Sequence, residues 1–294
     1  MKGSVPQAAV IEAYIAACRL DVRALKPGNV HVYADGHRMS VADVDTSADV
    51  SAPFVCDPAL TIGTRIRRAI EATFNGVGQN TNLGIVLLSA PLAAAAERSD
   101  LSPLEDRLKG VLAGLTHDDA REVYSAIAHA NPAGLGKAEA GDVHALPPAD
   151  WTLLDAMRAA APYDMIAAEY ATGFQGVFEA AAEFSAERHA GARSEDALAF
   201  VFLRQLASRP DTHIVRKHGT ALATRVQNRA SDVLSSFGAI RATSLAETRN
   251  RARLIELDAE LKSWGANPGS LADLMCAAAF ASELANFLAN ATGK

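Results

Sequence analysis

The stretch QNTNLGIVLLSAPLAAAA, Gln79 to Ala96, decides the fold. Three amides and a threonine hydroxyl lead straight into a greasy run from Leu83 to Ala96. Its interruptions, Ser89 and Pro91, and its length fall short of the roughly 20 apolar residues that span a bilayer. Apolar on every side, it reads as a central helix enclosed by other helices. The amides at its entrance demand hydrogen bonds, and either protein or ligand must supply them.

Working outward, helical periodicity dominates. Val10, Ile11, Tyr14, Ile15, Cys18 and Val22 recur at three- and four-residue steps and predict a helix ending before Lys26-Pro27-Gly28. Ser40 is placed to cap a short helix through Val44. Further helices are expected over 62–74, 101–115, 118–130, 151–161, 163–190 with a break at Gly173, 194–207, 216–235, 244–264 and 269–291. No segment alternates with a two-residue period between turn signals, so no sheet is expected. The expectation is an all-α fold: residues 1–294 as a single orthogonal bundle of about ten helices.

Composition narrows the function. The 294 residues are 49% hydrophobic and 21% charged with a net charge of −6, which excludes the basic footprint of a nucleic-acid binder. Three scattered cysteines, Cys18, Cys56 and Cys276, give neither a disulfide framework nor a zinc cluster. The N-terminal apolar run breaks too early for a signal peptide. A soluble cytoplasmic protein with no membrane partner is expected. Met275, Phe280 and Phe287 share one face of the last helix, as core or as a homodimer seam. His117, His129, His144 and His189 are scattered and carry no pattern.

Chemistry concentrates where glycine or proline meets charge. The segments are Lys26-Pro27-Gly28-Asn29-Val30-His31, continuing to Asp35 and His37; Gln79-Asn80-Thr81-Asn82-Leu83-Gly84; Asp211-Thr212-His213 through Arg216-Lys217-His218; and Asn267-Pro268-Gly269-Ser270 with Asp273. Each singly fits ordinary capping and turn chemistry. Together they supply helix N-termini that attract anions, cations that match phosphate, and carboxylates at Asp35, Asp211 and Asp273 suited to magnesium. The set predicts a pocket for a phosphorylated substrate. Lys26→Ala and Arg216→Ala are expected to weaken ligand binding and leave the fold intact, since both lie at loop–helix junctions.

These motifs carry a resemblance over nearly the whole chain. Lys26-Pro27-Gly28 with His31 and Met39, ATFNGVGQNTNLG ending at Gly84, and NPGSLADL at 267–274 resemble the triphosphoribosyl-dephospho-coenzyme A synthase family. NPAGLG (131–136), RAAAPYDMIAAEYATGF (158–174) and PDTHIVRKHG (210–219) resemble a side branch of it. The resemblance implies an all-helical transferase in which ATP, a substrate, loses adenine and its triphosphoribosyl unit passes to dephospho-coenzyme A. It implies that Lys26, Arg216 and Lys217 hold phosphates, that Asp211 or Asp273 binds magnesium, and that Asp35 or His37 does proton work, with Asp211 a third catalytic candidate. Gly28, Asn29, His31, Asn80, Thr81, Asn82, Gly84, His218, Asn267, Gly269 and Ser270 complete the expected binding surface.

Two positions depart from the family pattern. Asn82-Leu83 stands where the citrate-lyase enzymes read His-Lys, and Arg38 stands where they carry an acid. Arg38, or the Arg65, Arg67 and Arg68 cluster, is expected to restore the lost positive charge. Two other functions fit the same segments. One is an enzyme making a one-carbon carrier of the methanofuran or methanopterin type by displacing diphosphate; the other is a non-catalytic helical protein that binds a nucleotide or a partner.

Overall fold

The computed structural model describes residues 4–36, 38–131, 147–237 and 241–292. Among them are fourteen α-helices, one 3-10 turn and no strand; two isolated bridges, His31 to Ala34 and Gly36 to Met39, pin the loop after the first helix. The all-α expectation stands, with more helices than the ten expected. His37, His144 and most of the 131–136 motif lie outside the described residues.

The first helix, α1 (Gln7–Arg23), buries Val10, Tyr14, Ala17, Cys18 and Asp21 along one stripe. Pro27 removes a donor just beyond it, so the helix stops as predicted. The second, α2 (Val41–Val55), starts at Ser40 with a capping box: the Ser40 hydroxyl accepts from the Asp43 amide while Asp43 accepts from the Ser40 amide. It runs far past Val44, because Ser47 and Ser51 donate back to the carbonyls of Asp43 and Ser47, both at 2.6 Å, and so shed their polarity inside the helix. Next come α3 (Ile62–Val77), capped by Thr61 and ended by Gly78 at φ +78°, and α4 (Leu83–Glu97).

Almost every residue of α4 is buried, as the greasy run requires. Next in the chain come α5 (Leu104–Ala113), α6 (His117–Ala130), α7 (Leu153–Ala160), α8 (Met165–Thr172) and α9 (Gln175–His189), of which α5 and α8 pack on α4. The expected break at Gly173 is real: Gly173 and Phe174 both take left-handed φ, 71° and 64°. There follow α10 (Ser194–Ser208), α11 (Thr212–His218), α12 (Thr220–Ser235), the 3-10 turn Ala242–Ala246, α13 (Thr248–Ser263) and α14 (Gly269–Thr292). Gly219, at φ +86°, splits the expected 216–235 helix into α11 and α12.

The last helix, rather than the Leu83–Ala96 run, has the length and apolarity to cross a membrane, over Gly269–Asn290. Here it is mostly buried in the fold, packed on α1, α4 and α9. Met275 and Phe280 are core residues, while Phe287 is exposed. α1 and α14 meet rung by rung. Tyr14 lies edge-on to Phe280, with centroids 5.8 Å apart, and the Cys18 and Cys276 sulfurs are 3.8 Å apart. One turn further along each helix come Asp21 and Asp273. The helices are therefore antiparallel, and their ladder climbs from aromatic to thiol to carboxylate.

Candidate functional site

The loop leaving α1 is tied down at every step. Lys26 is fully buried, and its ammonium donates to the Asp21 carbonyl at 2.8 Å, the Asp21 carboxylate at 2.7 Å and the Asn29 amide oxygen at 3.4 Å. Burial raises the Asp21 carboxyl above its usual range, and the Lys26 cation pulls it back part of the way. Gly28 takes φ +84°, and a methyl group there would lie 2.9 Å from the Ala266 carbonyl and from Pro268, so only glycine fits. Asn29 donates to the Asn267 side chain at 2.9 Å, which joins the loop to the entrance of α14.

Asp258 of α13 holds the same loop from the other side. One oxygen accepts the Gly28 amide at 2.8 Å and faces His31 Nε2 at 3.1 Å; the other faces Lys262 at 3.0 Å. His31 Nδ1 accepts from the Tyr33 amide at 3.3 Å, while Nε2 faces Asp258 without completing a hydrogen bond. Burial pushes the Asp258 carboxyl up, but His31, the Gly28 amide and Lys262 outweigh it and leave it below the usual range.

Asp211 caps two helices at once. Its Oδ1 accepts the Ile214 amide of α11 at 3.1 Å, and its Oδ2 accepts the Leu271 amide of α14 at 2.8 Å. Burial nevertheless lifts its pKa from 3.8 to about 6, against the pull of these amides and of Arg216. Beside it Thr212 donates to Ser270 at 3.1 Å, and Gly269 lets the His213 ring approach to 2.5 Å from where a Cβ would stand. Arg216 pairs with Asp164 at 2.9 Å, yet its Nε is buried without a partner. Lys217 and His218 are exposed, and the His218 ring meets the Gly265 carbonyl at 3.0 Å.

Asp273 is where these segments converge. A methyl group on Gly84 would overlap its Oδ2, so the carboxylate rests directly on the first turn of α4. Burial drives its pKa well up; the like charges of Asp21 and Asp211 add to this, and Lys26 and Arg216 oppose it. Five side chains from α1, its loop, α11 and α14 thus share one electrostatic neighbourhood. Asp21 and Asp211 are committed to Lys26 and to backbone amides. The Asp273 carboxylate accepts no hydrogen bond from the described residues and keeps part of its surface open.

At the entrance to α4 the amides divide their work. Asn80 accepts the Leu83 amide at 3.1 Å, and the Thr81 hydroxyl pairs with Ser47 at 2.5 Å. Asn82, the residue before the helix, makes no capping bond and donates instead to Ser51 at 3.4 Å. Gln79 donates to the carbonyl of Arg38, which takes a left-handed φ of 65°.

Several expected residues occupy other places. Lys26 is no free cation at a junction; it is sealed in a buried ion pair, so its removal will tell on the fold. Arg65 is buried against Glu97 at 2.8 Å and Arg67 is held by Glu71 and Glu122, so these two have no charge to spare for phosphate; Arg68 is exposed on α3. Asp35 is exposed on the loop and is not among the groups acting on Asp273. Among the described residues no three His, Cys, Asp or Glu side chains gather at metal-binding spacing. Asp21, Asp164, Asp258 and Lys262 were missed. Asp21, Asp258 and Lys262 sit within helices, where a charge reads as solvated, and Asp164, just after Pro162, reads as an ordinary helix cap.

Comparison with known proteins gives the chain a family and a fold. The profile of the CitG family, ATP:dephospho-CoA triphosphoribosyl transferase, matches residues 7–291. A crystal structure from Archaeoglobus fulgidus, named for a triphosphoribosyl-dephospho-CoA synthase, superposes with a TM-score of 0.60 at 21% identity. The match covers 80% of this chain and 96% of that one, and it shows a shared fold. Among curated proteins none matches significantly.

Proposed function

Because the chain belongs to the ATP:dephospho-CoA triphosphoribosyl transferase family, and so is a transferase acting on a nucleotide, we propose that its chemistry takes place at the convergence of Asp21, Lys26, Gly84, Asp211, Arg216 and Asp273. The observation that carries this reading is the placement of Asp273, whose carboxylate rests on Gly84 at the first turn of α4. Asp21 and Asp211 crowd around it, three carboxylates in all against the two cations Lys26 and Arg216, and burial magnifies their repulsion. Positive charge arriving there is stabilised. Breaking the bond between ribose C1′ and adenine builds such charge at the anomeric carbon, and preformed carboxylates are the groups that lower its energy.

The rest of the substrate has matching partners. Arg216 brings an unpartnered buried N–H and a guanidinium suited to bidentate phosphate contact, and exposed Lys217 follows it on α11. Magnesium belongs to this reading as the companion of the triphosphate, since it takes one or two carboxylates and fills its remaining positions with phosphate and water. Asp273 offers the free hard oxygens this needs, whereas those of Asp211 already accept backbone amides. The ion would screen phosphate charge. Lys26, Asn29 and Asn267 act from behind, fixing the loop and the start of α14 on which these groups stand.

The test is direct. Incubation with ATP, magnesium and dephospho-coenzyme A should release adenine, seen by chromatography, and raise the acceptor's mass by one triphosphoribosyl unit. ATP bound tightly with no adenine released would refute it.

A further inference from the structure

Asn80 accepts the Leu83 amide and Thr81 pairs with Ser47, and among the described residues at the α4 entrance Asn82 is the one with a buried side-chain atom that has no partner. It is only 3% exposed, and its amide oxygen has no hydrogen-bond partner. Which end of the amide is free follows from counting donors. The Ser51 hydroxyl spends its proton on the Ser47 carbonyl at 2.6 Å, so toward its other neighbours it accepts. It then takes the Tyr14 hydroxyl at 2.9 Å and the Asn82 amide nitrogen at 3.4 Å. The nitrogen of Asn82 is thereby committed to Ser51, and the oxygen is the end left as a buried acceptor of fixed polarity. Asn82 lies two residues ahead of Gly84, on which the Asp273 carboxylate rests.

A buried acceptor that the fold leaves empty is built for a donor brought from outside. The phosphate groups of a nucleotide, ionised at neutral pH, do not serve as the donor. Ribose hydroxyls donate or accept with equal ease and need no group of fixed polarity. The exocyclic amine of adenine can only donate. Resting on the function proposed above, we propose that the Asn82 amide oxygen reads the exocyclic amine of the purine in the nucleotide substrate. Asn82 is then the specificity-determining residue of the base subsite. The leaving base sits at the α4 entrance, and the phosphates lie toward Arg216.

The experiment compares ATP with purine riboside 5′-triphosphate, which lacks the amine, and with inosine triphosphate, which puts an acceptor in its place. Wild type should favour ATP over both by about 30-fold or more in kcat/KM for base release, because a site built to bond an N–H rejects analogues without it. Asn82→Leu keeps the side-chain volume and touches no cap, so it should hold or raise Tm while its preference falls to within about 3-fold. Differences in leaving-group reactivity cancel when the variant's ratio is set against that of wild type. Discrimination that survives in Asn82→Leu, or its absence in wild type, overturns the proposal. Should Asn82→Leu fold poorly, Asn82→Ser is read by the same ratio. If wild type binds ATP and releases no base, the transfer reaction fails and not this inference, which is then decided by the three dissociation constants measured by calorimetry.

Discussion

Replacing Lys26 by methionine keeps the side chain's length and apolar stem and deletes only its charge. In the folded protein that charge is wholly enclosed and makes three hydrogen bonds, two of them to Asp21. Its loss strands a carboxylate that is 5% exposed, and breaking a buried pair from one side costs about 3–5 kcal/mol. An unfolding entropy of about 2.1 cal/mol/K per residue, over 294 residues, gives about 0.6 kcal/mol/K, so each kcal/mol lowers Tm by about 1.6 °C. Lys26→Met should therefore melt about 5–8 °C below wild type near neutral pH.

The deficit also has a pH signature. Burial already raises the Asp21 carboxyl, and without Lys26 nothing opposes that rise, so the folded variant holds a proton that the unfolded chain releases. Stability is then lost as pH climbs from the ordinary carboxylate range toward the raised folded value, and the loss is constant above it. Circular-dichroism melts at about pH 4.5 and pH 8 should show the smaller deficit at the lower pH. Adding Asp21→Asn, which removes the stranded charge, should recover most of the loss. A Lys26→Met protein that melts within 2 °C of wild type at pH 8, or whose deficit ignores pH, refutes the sealed-pair assignment.

Three further outcomes follow. Arg216→Ala should change Tm little, because its pair with Asp164 is about a quarter exposed on both sides, and should weaken ATP binding at least 10-fold by calorimetry. Gly84→Ala, ordinarily a helix-stabilising change, must displace the Asp273 carboxylate and should cut base release more than 10-fold while the protein stays folded. Asp211, whose pKa rises from 3.8 to about 6 on burial, makes the folded protein take up a proton, so wild-type stability should fall as pH rises across that interval; urea titrations of Asp211→Asn should flatten the slope.

What the sequence disclosed was its punctuation. Pro27, Gly173 and the Ser40 cap mark helix ends by local rules, and the chain obeys them. The enclosed helix after Asn82 was legible from apolarity alone. The α2 helix was underread because Asp43, Ser47 and Ser51 look like loop residues until one sees them bonding back into their own helix or across to Thr81 and Tyr14. Segments that meet at the site were found because each lies beside a glycine or proline. Asp21, Asp258 and Lys262 were invisible for the opposite reason: whether a charge within a helix faces water or a partner 230 residues distant is settled by tertiary packing. Lys26 was found and misjudged, since nothing local distinguishes a lysine that reaches out from one that folds back onto α1.

The α1–α14 ladder also dictates timing. Asp21 leaves the ribosome 252 residues ahead of Asp273 (273 − 21), so the proposed site needs a contact across that span, and contacts of such sequence separation form slowly. Any product cut short of Gly269 lacks the rung opposite Asp21, the amide that holds Asp211 and the carboxylate beneath Gly84. With the chemistry at the proposed site, partial products would be inert, and a cell making this protein would hold no half-built enzyme cleaving its ATP.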